Sequence, residues 1–277
     1  MRDDLLTSMR AETHHAGDRT LIADRVAVTD MAHVPPPQFD VADPGPAEAA
    51  WRAAIDRVVL PRWSPGAAGL VVVVSPHPDD ETLAIGGLLH DLVASGWRVR
   101  LASVTDGEAA YPAVSELGAI RRGELTGALD RLGMADATVI HHLELPDGRV
   151  ARHEAALERM LEPLVDGASW VLAPWREDGH PDHEACGRAA AAVVERGHCG
   201  PIRFFPVWAW HWAAPGSPAA RTIIAAAERH DPSPRALHAK VAALASFASQ
   251  QDGALGPPIL PAHVLARYAR PFEVLLR

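Results

Sequence analysis

Short apolar runs alternate with amphipathic segments along this chain from about residue 47 to residue 208. The most strand-like run, residues 70–74, reads Leu-Val-Val-Val-Val and is apolar at every position, as in a parallel strand buried on both faces. Segments with helical spacing separate it from the later apolar runs. This repeated alternation predicts an α/β fold, with a Rossmann-like, mostly parallel sheet and helices on both faces.

The same pattern gives approximate bounds for each element. Strands are expected at residues 70–74, 98–105, 138–143, 170–173 and 203–208. Helices are expected at residues 47–58, 81–95, 116–132, 153–165 and 183–196. The alanine-rich stretch 222–249 is predicted to be helical, and the remainder of the chain to be mixed.

Prolines separate the start of the chain from the rest. Residues 1–46 are interpreted as an irregular N-terminal arm, because the prolines at 35–37 and in 44–46 cannot lie inside a helix or a central strand. Residues 47–277 are expected to form a single α/β domain. The chain has no signal-peptide run, and its apolar runs are far shorter than the ~20 residues of a membrane helix. We therefore expect a cytoplasmic protein without a membrane span.

Composition narrows the ligand chemistry that the chain can use. Its 277 residues carry 26 basic and 35 acidic side chains, a formal net charge of −9 that argues against nucleic-acid binding. Two cysteines are too few for a disulfide framework or a thiolate zinc cluster, whereas histidine occurs 15 times. A metal in this chain would therefore be held by imidazole and carboxylate groups.

The sharpest polar feature follows the first buried strand, where residues 75–81 read Ser-Pro-His-Pro-Asp-Asp-Glu. Ligands of open α/β sheets bind beyond the carboxyl ends of the strands, where this sequence lies. Asp79 and Asp80 point in different directions, so one can bind a metal while the other addresses a bound water. The structural alternative is that Asp79 caps the helix, Glu81 complements its dipole and His77 has no role.

A second polar cluster, residues 178–183, reads Asp-Gly-His-Pro-Asp-His and follows the predicted strand 170–173. His180 and His183 can bind one metal together or divide into ligand and catalyst. The alternative makes Asp182 a helix cap and leaves both histidines at the surface. Because both clusters lie at the same predicted edge of the sheet, they supply the N and O ligands of a catalytic rather than a structural zinc site.

The paired motifs, Pro-His-Pro-Asp-Asp-Glu and His-Pro-Asp-His, resemble those of the PIG-L/LmbE-like family of zinc-dependent N-deacetylases, which remove acetyl groups from amino sugars. The resemblance covers about residues 69–250 and includes Thr-Asp-Gly at 105–107 and Leu-Pro-Asp at 145–147. It implies Zn²⁺ as the cofactor, with another divalent metal such as Fe²⁺ as the alternative.

Carried over by position, the resemblance also implies roles for individual residues. The implied metal ligands are His77, Asp80 and His183. Asp79 matches the general base, and His180 matches the oxyanion stabiliser or general acid. Arg121 and Asp147 match positions that contact the sugar in relatives, although Arg122 stands next to Arg121. The sequence leaves open whether His180 or protonated Asp79 delivers a proton to the departing amine.

One position departs from part of the family. Some relatives, including the mycothiol-pathway deacetylase, have a tyrosine two residues before the first histidine of the second motif, where this chain has Asp178. Stabilisation of an oxyanion by a tyrosine at that position is therefore not expected here. The departure weakens an assignment to the mycothiol branch and leaves the family resemblance intact.

Three tryptophans alternate with other residues in the segment 204–212, which reads Phe-Phe-Pro-Val-Trp-Ala-Trp-His-Trp. In a strand or an extended loop, this alternation would place Trp208, Trp210 and Trp212 on one face. Because indole rings offer broad apolar contact, Trp208 and Trp210 are candidate substrate contacts. The alternative is a core strand or a contact between subunits.

Together the residues and the resemblance predict an enzyme, a metal-dependent N-deacetylase that hydrolyses a C–N bond other than a peptide bond. Its substrate is expected to be an N-acetylated amino sugar, such as N-acetylglucosamine, or its glycoconjugate, attacked by metal-activated water. Two alternatives are hydrolysis of another sugar-linked amide, in an acylated glycopeptide or thiol-glycoside, and a non-catalytic carbohydrate-binding relative. A small-molecule or glycoconjugate substrate is the expected partner, and the oligomeric state, a homo-oligomer included, is left open.

Overall fold

The computed structural model describes residues 39–277, so residues 1–38 of the predicted N-terminal arm lie outside the described residues. The strands of the described part are β1 (Leu70–Ser75), β2 (Arg98–Ser103), β3 (Thr138–His142), β4 (Trp170–Pro174), β5 (Ile202–Phe205), β6 (Ala227–His230) and β7 (Glu273–Leu276). They form one sheet in the order β3-β2-β1-β4-β5-β7-β6. This arrangement confirms the predicted α/β fold.

The first five strands run parallel, whereas β7 pairs antiparallel with both β5 and β6. Residues 71–74 of β1 are fully buried, as their unbroken apolar sequence predicts for the centre of a parallel sheet. The chain moves from β1 outward to β2 and β3, and then returns to β4 on the other side of β1. Since crossovers are right-handed, this reversal places helices on both faces of the sheet.

The helices of the described part, in chain order, are α1 (Glu48–Ile55), α2 (Asp80–Ala94), α3 (Leu117–Arg131), α4 (Glu154–Val165), α5 (Pro181–Glu195), α6 (Ala209–Trp212), α7 (Pro218–Ala226), α8 (Pro234–Leu244), α9 (Ala248–Gln251) and α10 (Ala262–Leu265). One layer packs α8 against α2 and α3, and another packs α4 against α5. Among residues 39–277, no helix is both long and apolar enough to cross a membrane.

Helix α2, which begins beside the first motif, is interrupted at Ile85, whose φ of −137° and ψ of 17° are not helical. The Glu273 carboxylate on β7 accepts hydrogen bonds from the backbone N–H groups of Gly87 and Leu88, at 2.9 and 2.7 Å. Lys240 of α8 donates to the same carboxylate at 2.6 Å. The C-terminal strand therefore stabilises the break in α2, because its carboxylate satisfies N–H groups that the interruption leaves without helical partners.

The predicted continuous helix over residues 222–249 is wrong in its middle. Helix α7 ends at Ala226, strand β6 follows, and α8 begins only at Pro234. Two prolines explain the division: Pro232 cannot donate to a ladder, and Pro234 occupies the first turn of α8, which the Ser233 hydroxyl caps. The intervening residues pair with β7 and extend the sheet by an antiparallel strand.

The predicted extended conformation of the tryptophan segment is also wrong. Strand β5 ends at Phe205, and residues 209–212 form the helical turn α6. Pro206 interrupts the strand, and the Asp178 carboxylate then accepts hydrogen bonds from the N–H groups of Val207, Trp208 and Ala209, at 2.9–3.0 Å. These N–H groups would lack partners at the start of a helical turn, so the buried carboxylate favours the turn over an extended strand.

Residues 39–46 form turns and bends, and basic side chains from the C-terminal half hold them in place. His211 contacts the carbonyl of Asp40 at 3.0 Å, and His263 contacts that of Val41 at 3.1 Å. The buried Arg267 donates to the carbonyls of Pro44 and Pro46. This described end of the predicted arm is therefore fixed against the α/β fold by hydrogen bonds to its backbone.

Candidate metal-binding active site

The two polar motifs meet at the centre of the sheet, where β1 and β4 lie side by side. Val73 of β1 is in register with Leu172 of β4, so the two carboxyl ends open at the same edge. This is also the point at which the strand order reverses, the position where open α/β sheets bind their ligands. The predicted meeting of the two motifs at one sheet edge is confirmed.

Three side chains form a compact set of donors that could hold a metal: His77, Asp80 and His183, called the metal triad below. His77 Nδ1 lies 3.3 Å from Asp80 Oδ2 and 3.3 Å from His183 Nε2. Asp80 Oδ2 lies 3.3 Å from His183 Nε2, which closes an equilateral triangle. The family resemblance implied these same three side chains as metal ligands, and the fold brings them together.

A buried carboxylate orients His183 from the side away from the triad. Asp178 Oδ2 lies 2.9 Å from His183 Nδ1, and both side chains are fully buried. A carboxylate on one ring nitrogen fixes the tautomer, so that the other nitrogen, Nε2, presents a lone pair to a metal. Asp178 therefore stabilises the start of α6 and also orients His183. Sequence reasoning missed both roles.

Two further carboxylates face the other ring nitrogen of His77. Asp147 Oδ1 lies 3.1 Å and Asp182 Oδ2 lies 3.4 Å from His77 Nε2. The Asp182 carboxylate also accepts the N–H groups of Gly148 and Val150, so it ties the loop after β3 to the site. The capping role proposed for Asp182 does not match these contacts, because its carboxylate accepts N–H groups from outside its own helix.

His180 is itself the residue that caps α5. Its Nδ1 accepts a hydrogen bond from the backbone N–H of Asp182 at 3.2 Å. Burial, together with the neighbouring rings of His183 and His77, lowers the pKa of His180 well below its usual value. A neutral imidazole that accepts at Nδ1 carries its proton on Nε2, so His180 is a neutral hydrogen-bond donor toward the site.

Asp79 has an unusual backbone conformation, with a φ of 153°. Strained residues of this kind persist where surrounding contacts hold them, and they cluster at functional sites. Although Asp79 precedes α2, its side chain makes no capping hydrogen bond with the described residues, so the capping alternative is not supported. Burial and the adjacent Asp80 carboxylate raise the pKa of Asp79 well above its usual value.

Arg121, rather than its neighbour Arg122, faces the site. Its guanidinium lies 3.7 Å from the Asp79 carboxylate and donates to the Gly107 carbonyl and to the Gln250 side chain, both at 3.0 Å. Arg122 points away to pair with Asp106. Of the two adjacent arginines, Arg121 is therefore the one placed to act on a bound substrate.

A cavity of about 420 Å³ opens over these groups. Its polar lining is His77, Asp79, Asp80, Arg121, Asp147 and His180, and its large apolar lining is Phe39, Val41, Trp208 and Ile259. A volume of this size accommodates a small-molecule ligand. The predicted contact Trp208 lies on this cavity, whereas no sequence pattern pointed to Phe39, Val41 or Ile259.

Trp210 does not reach this cavity, which corrects its assignment as a substrate contact. The helical turn α6 directs its ring against Trp51, with ring centroids 4.8 Å apart at 88°. Its carbonyl accepts the indole N–H of Trp51 at 2.9 Å. The Arg270 guanidinium covers the ring at 4.2 Å from its centroid. Trp210 is therefore part of the core, as the structural alternative proposed.

Fold and site together define a class: α/β proteins that place a histidine–aspartate metal-binding group at the carboxyl ends of parallel strands. Within that class, residues 72–194 match the family model described as PIG-L: GlcNAc-PI de-N-acetylase. The match over this segment agrees with the resemblance carried by the two motifs. All three residues of the metal triad lie inside the matched segment.

Individual relatives agree with the family match. A 1D-myo-inositol 2-acetamido-2-deoxy-alpha-D-glucopyranoside deacetylase of Mycobacterium sp. (strain KMS) is 29% identical over an alignment of 163 residues, which covers 49% of this chain and 53% of that protein. A probable N-acetyl-alpha-D-glucosaminyl L-malate deacetylase 2 of Bacillus cereus is 32% identical over 136 residues, 46% of this chain and 61% of that protein. This chain thus spans about half the length of the mycobacterial relative.

A solved structure supports the fold independently. The conserved protein TT1542 from Thermus thermophilus superposes with a TM-score of 0.51 at 28% sequence identity. The superposition covers 71% of this chain and 84% of that one. The α/β architecture described above is therefore shared with this neighbour over most of both chains.

Proposed function

We propose that this protein is a metal-dependent N-deacetylase that hydrolyses the N-acetyl group of an amino sugar or its glycoconjugate. The observation that carries the proposal is the convergence of the metal triad, Asp79 and His180 on one cavity. The family match and the deacetylase names of the two relatives support the same reaction. The acyl group and the sugar are inferred from those names.

The metal triad fits zinc. Donors bound tetrahedrally at 2.0–2.1 Å are about 3.3–3.4 Å apart, and the three donors here are each 3.3 Å from the others. We infer that zinc is the native ion and keep Fe²⁺ as the alternative. When bound, such an ion lowers the pKa of a water molecule to about 7 and polarises an amide carbonyl.

Asp79 is the proposed general base and acid. It takes one proton from the water whose oxygen adds to the amide carbon, and returns that proton to nitrogen as the C–N bond breaks. The products are acetic acid and the free amine, and the acid proton is then lost to the amine or to solvent to give acetate. Because burial and the Asp80 carboxylate raise the pKa of Asp79, its carboxyl group can hold the proton between the two steps near neutral pH.

His180 is the proposed oxyanion stabiliser. Its lowered pKa keeps the imidazole neutral, and its Nδ1 is occupied by the Asp182 N–H. The Nε2–H group is therefore free to donate to the carbonyl oxygen as that oxygen gains negative charge. The sequence left open whether His180 or Asp79 delivers the proton to the amine; with His180 as the oxyanion stabiliser, Asp79 is the proposed proton donor.

Arg121, Asp147 and Trp208 remain proposed substrate contacts, since all three line the cavity. Arg121 and Asp147 are already engaged, by Asp79 and by His77 respectively, so each would serve a catalytic group as well as a sugar hydroxyl. The cytoplasmic location expected from the sequence also stays a prediction.

The direct test is acetate release from N-acetylglucosamine and its glycosides by zinc-loaded protein. Asp79→Asn is the matched control, because it should retain the metal and lose turnover. Sugar binding without acetate release by the metal-loaded native protein would favour the carbohydrate-binding alternative. Release of a longer acyl chain but not of acetate would favour hydrolysis of another sugar-linked amide.

A further inference from the structure

The large apolar side chains that line the active-site cavity come from parts of the chain that the family match does not include. The apolar wall consists of Phe39, Val41, Trp208 and Ile259. Two of these residues precede the matched segment 72–194 and two follow it. The wall thus comes from the sequence that flanks the matched segment on both sides.

The wall is held in place by specific contacts. The rings of Phe39 and Trp208 stack with centroids 4.8 Å apart at 28°, and the His211 ring packs edge-on against Phe39 at 5.4 Å. His211 and His263 contact the carbonyls of Asp40 and Val41, which fixes the backbone beside both side chains. The wall is therefore pre-organised, so a ligand does not have to order it.

The side chains of the wall are better suited to an apolar group than to the hydroxyl groups of an unsubstituted sugar. Three of its four side chains contain only carbon, so they cannot satisfy the hydroxyl groups of a sugar ring, and an unpaired buried hydroxyl is costly. The hydrogen-bonding groups of the cavity belong to other residues of its lining, among them Asp79 and His180. In the proposed reaction the acyl group is a small acetyl, which leaves the group on the other side of the sugar to contact the wall.

We propose that the apolar wall binds an apolar aglycone carried by the N-acetylated amino sugar, so that the preferred substrate is an aryl or alkyl glycoside rather than the free sugar. This inference rests on the proposed N-deacetylase function. It names the substrate class that the flanking segments select, and it assigns Phe39 and Ile259 as specificity-determining residues.

The experiment compares zinc-loaded protein on three substrates: N-acetylglucosamine, its phenyl glycoside and N-octanoylglucosamine. We expect kcat/KM for acetate release to be roughly tenfold or more higher for the phenyl glycoside than for the free sugar, mainly through a lower KM. Phe39→Ala and Ile259→Ala should each bring the ratio of the two kcat/KM values toward one. Ile120→Ala on α3, a matched isoleucine that is 40% exposed and outside the cavity, should keep the native ratio.

Each other outcome has a defined meaning. Equal kcat/KM values for the free sugar and its phenyl glycoside would overturn the inference, and so would a preference for the octanoyl amide, which would place the apolar group on the acyl side. Acetate release from neither sugar would count against the proposed function instead. In that case, calorimetric binding of the phenyl glycoside to native protein and to Ile259→Ala still tests the wall, and equal affinities would reject it.

Discussion

The two sides of the active-site cavity differ in where the chain builds them. The polar side comes from residues 77–180, inside the family-matched segment, on the loops and helices that follow parallel strands. The apolar wall comes from residues 39–41, 208 and 259, outside that segment. In the proposed function, the groups that carry the reaction therefore lie inside the family-matched segment, and those proposed to contact the aglycone lie outside it.

The largest expected effect comes from breaking the polar side at the metal triad. In His183→Ala, two donors remain, Asp178 loses its partner, and we expect stoichiometric zinc and all measurable turnover to be lost. Elemental analysis of purified protein measures the zinc. His141→Ala on β3 is the control, because that histidine takes no part in the triad. Undiminished zinc in His183→Ala would show that the triad is not the metal site.

A second change leaves the metal in place and removes the base. Asp79→Asn keeps the shape of the side chain but cannot take a proton, so kcat should fall by about 10²–10⁴-fold. Zinc content should match that of native protein, because Asp79 is not part of the triad. The measurement pairs acetate release with elemental analysis of the same sample. Turnover within a few-fold of the native value would reject Asp79 as the base.

A substitution at Asp178 tests how far the metal triad depends on a residue that does not itself belong to the triad. Asp178→Asn replaces one acceptor oxygen by a donor, so it cannot satisfy both His183 and the N–H groups at the start of α6. Loss of a carboxylate behind a metal-binding histidine costs about 10–100-fold in metal affinity. Zinc affinity by competition with a chelator measures this loss. If Asp178→Asn bound zinc with the native affinity, the role of Asp178 would be limited to stabilising the start of α6.

Much of the polar side could be predicted from the sequence, because its residues directly follow the strands that position them. Unbroken apolar runs identify the buried strands, and polar motifs directly after two of them must meet at one edge once the strands are parallel neighbours. That argument gave a metal site of imidazoles and carboxylates, and the resemblance implied His77, Asp80 and His183 as its ligands. The resemblance added roles for Asp79 and His180, whose burial and contacts agree with those roles.

The features that sequence reasoning missed all depend on contacts between distant residues. Asp178 reaches the N–H groups of residues 207–209, and this contact, with Pro206, turns an alternating tryptophan pattern into a helical turn. The apolar wall requires Phe39 to meet Trp208 across most of the chain. No periodicity or motif specifies such pairs, since each partner alone is an ordinary apolar or acidic residue.

The polar side should also respond to pH, whereas the wall, which lacks carboxylates, should not. Burial opposes a charge on His183, but Asp80 and Asp178 raise the pKa of His183 to about 9 in the metal-free protein. Below that pH a metal must displace the His183 proton. Burial also opposes a charge on His77, but the Asp147, Asp182 and Asp80 carboxylates raise the pKa of His77 as well. Zinc affinity should therefore fall at least about tenfold for each pH unit between 8 and 6. Chelator competition at pH 6, 7 and 8 measures the slope. An affinity independent of pH would contradict the raised pKa.

The smallest effect on the chemistry should come from disturbing the segment that carries the wall. Gly45 has a φ of +56°, and a Cβ atom there would lie 2.3 Å from the His211 carbonyl oxygen. Gly45→Ala should therefore displace residues 39–46 and destabilise the fold by about 1–3 kcal/mol, which lowers Tm by several degrees. Calorimetry measures the Tm, and elemental analysis measures the zinc content.

The matched control for that change is Gly66→Ala, which also has a positive φ, +81°, but no atom within 4 Å of the added Cβ. It adds backbone strain without the clash, so its Tm should fall less than that of Gly45→Ala. Zinc content should stay stoichiometric in both variants, because His211 and the segment it holds lie outside the metal triad. If Gly45→Ala lost zinc as well, the two sides of the cavity would not be separable, and the flanking segment would have to be counted as support for the metal site.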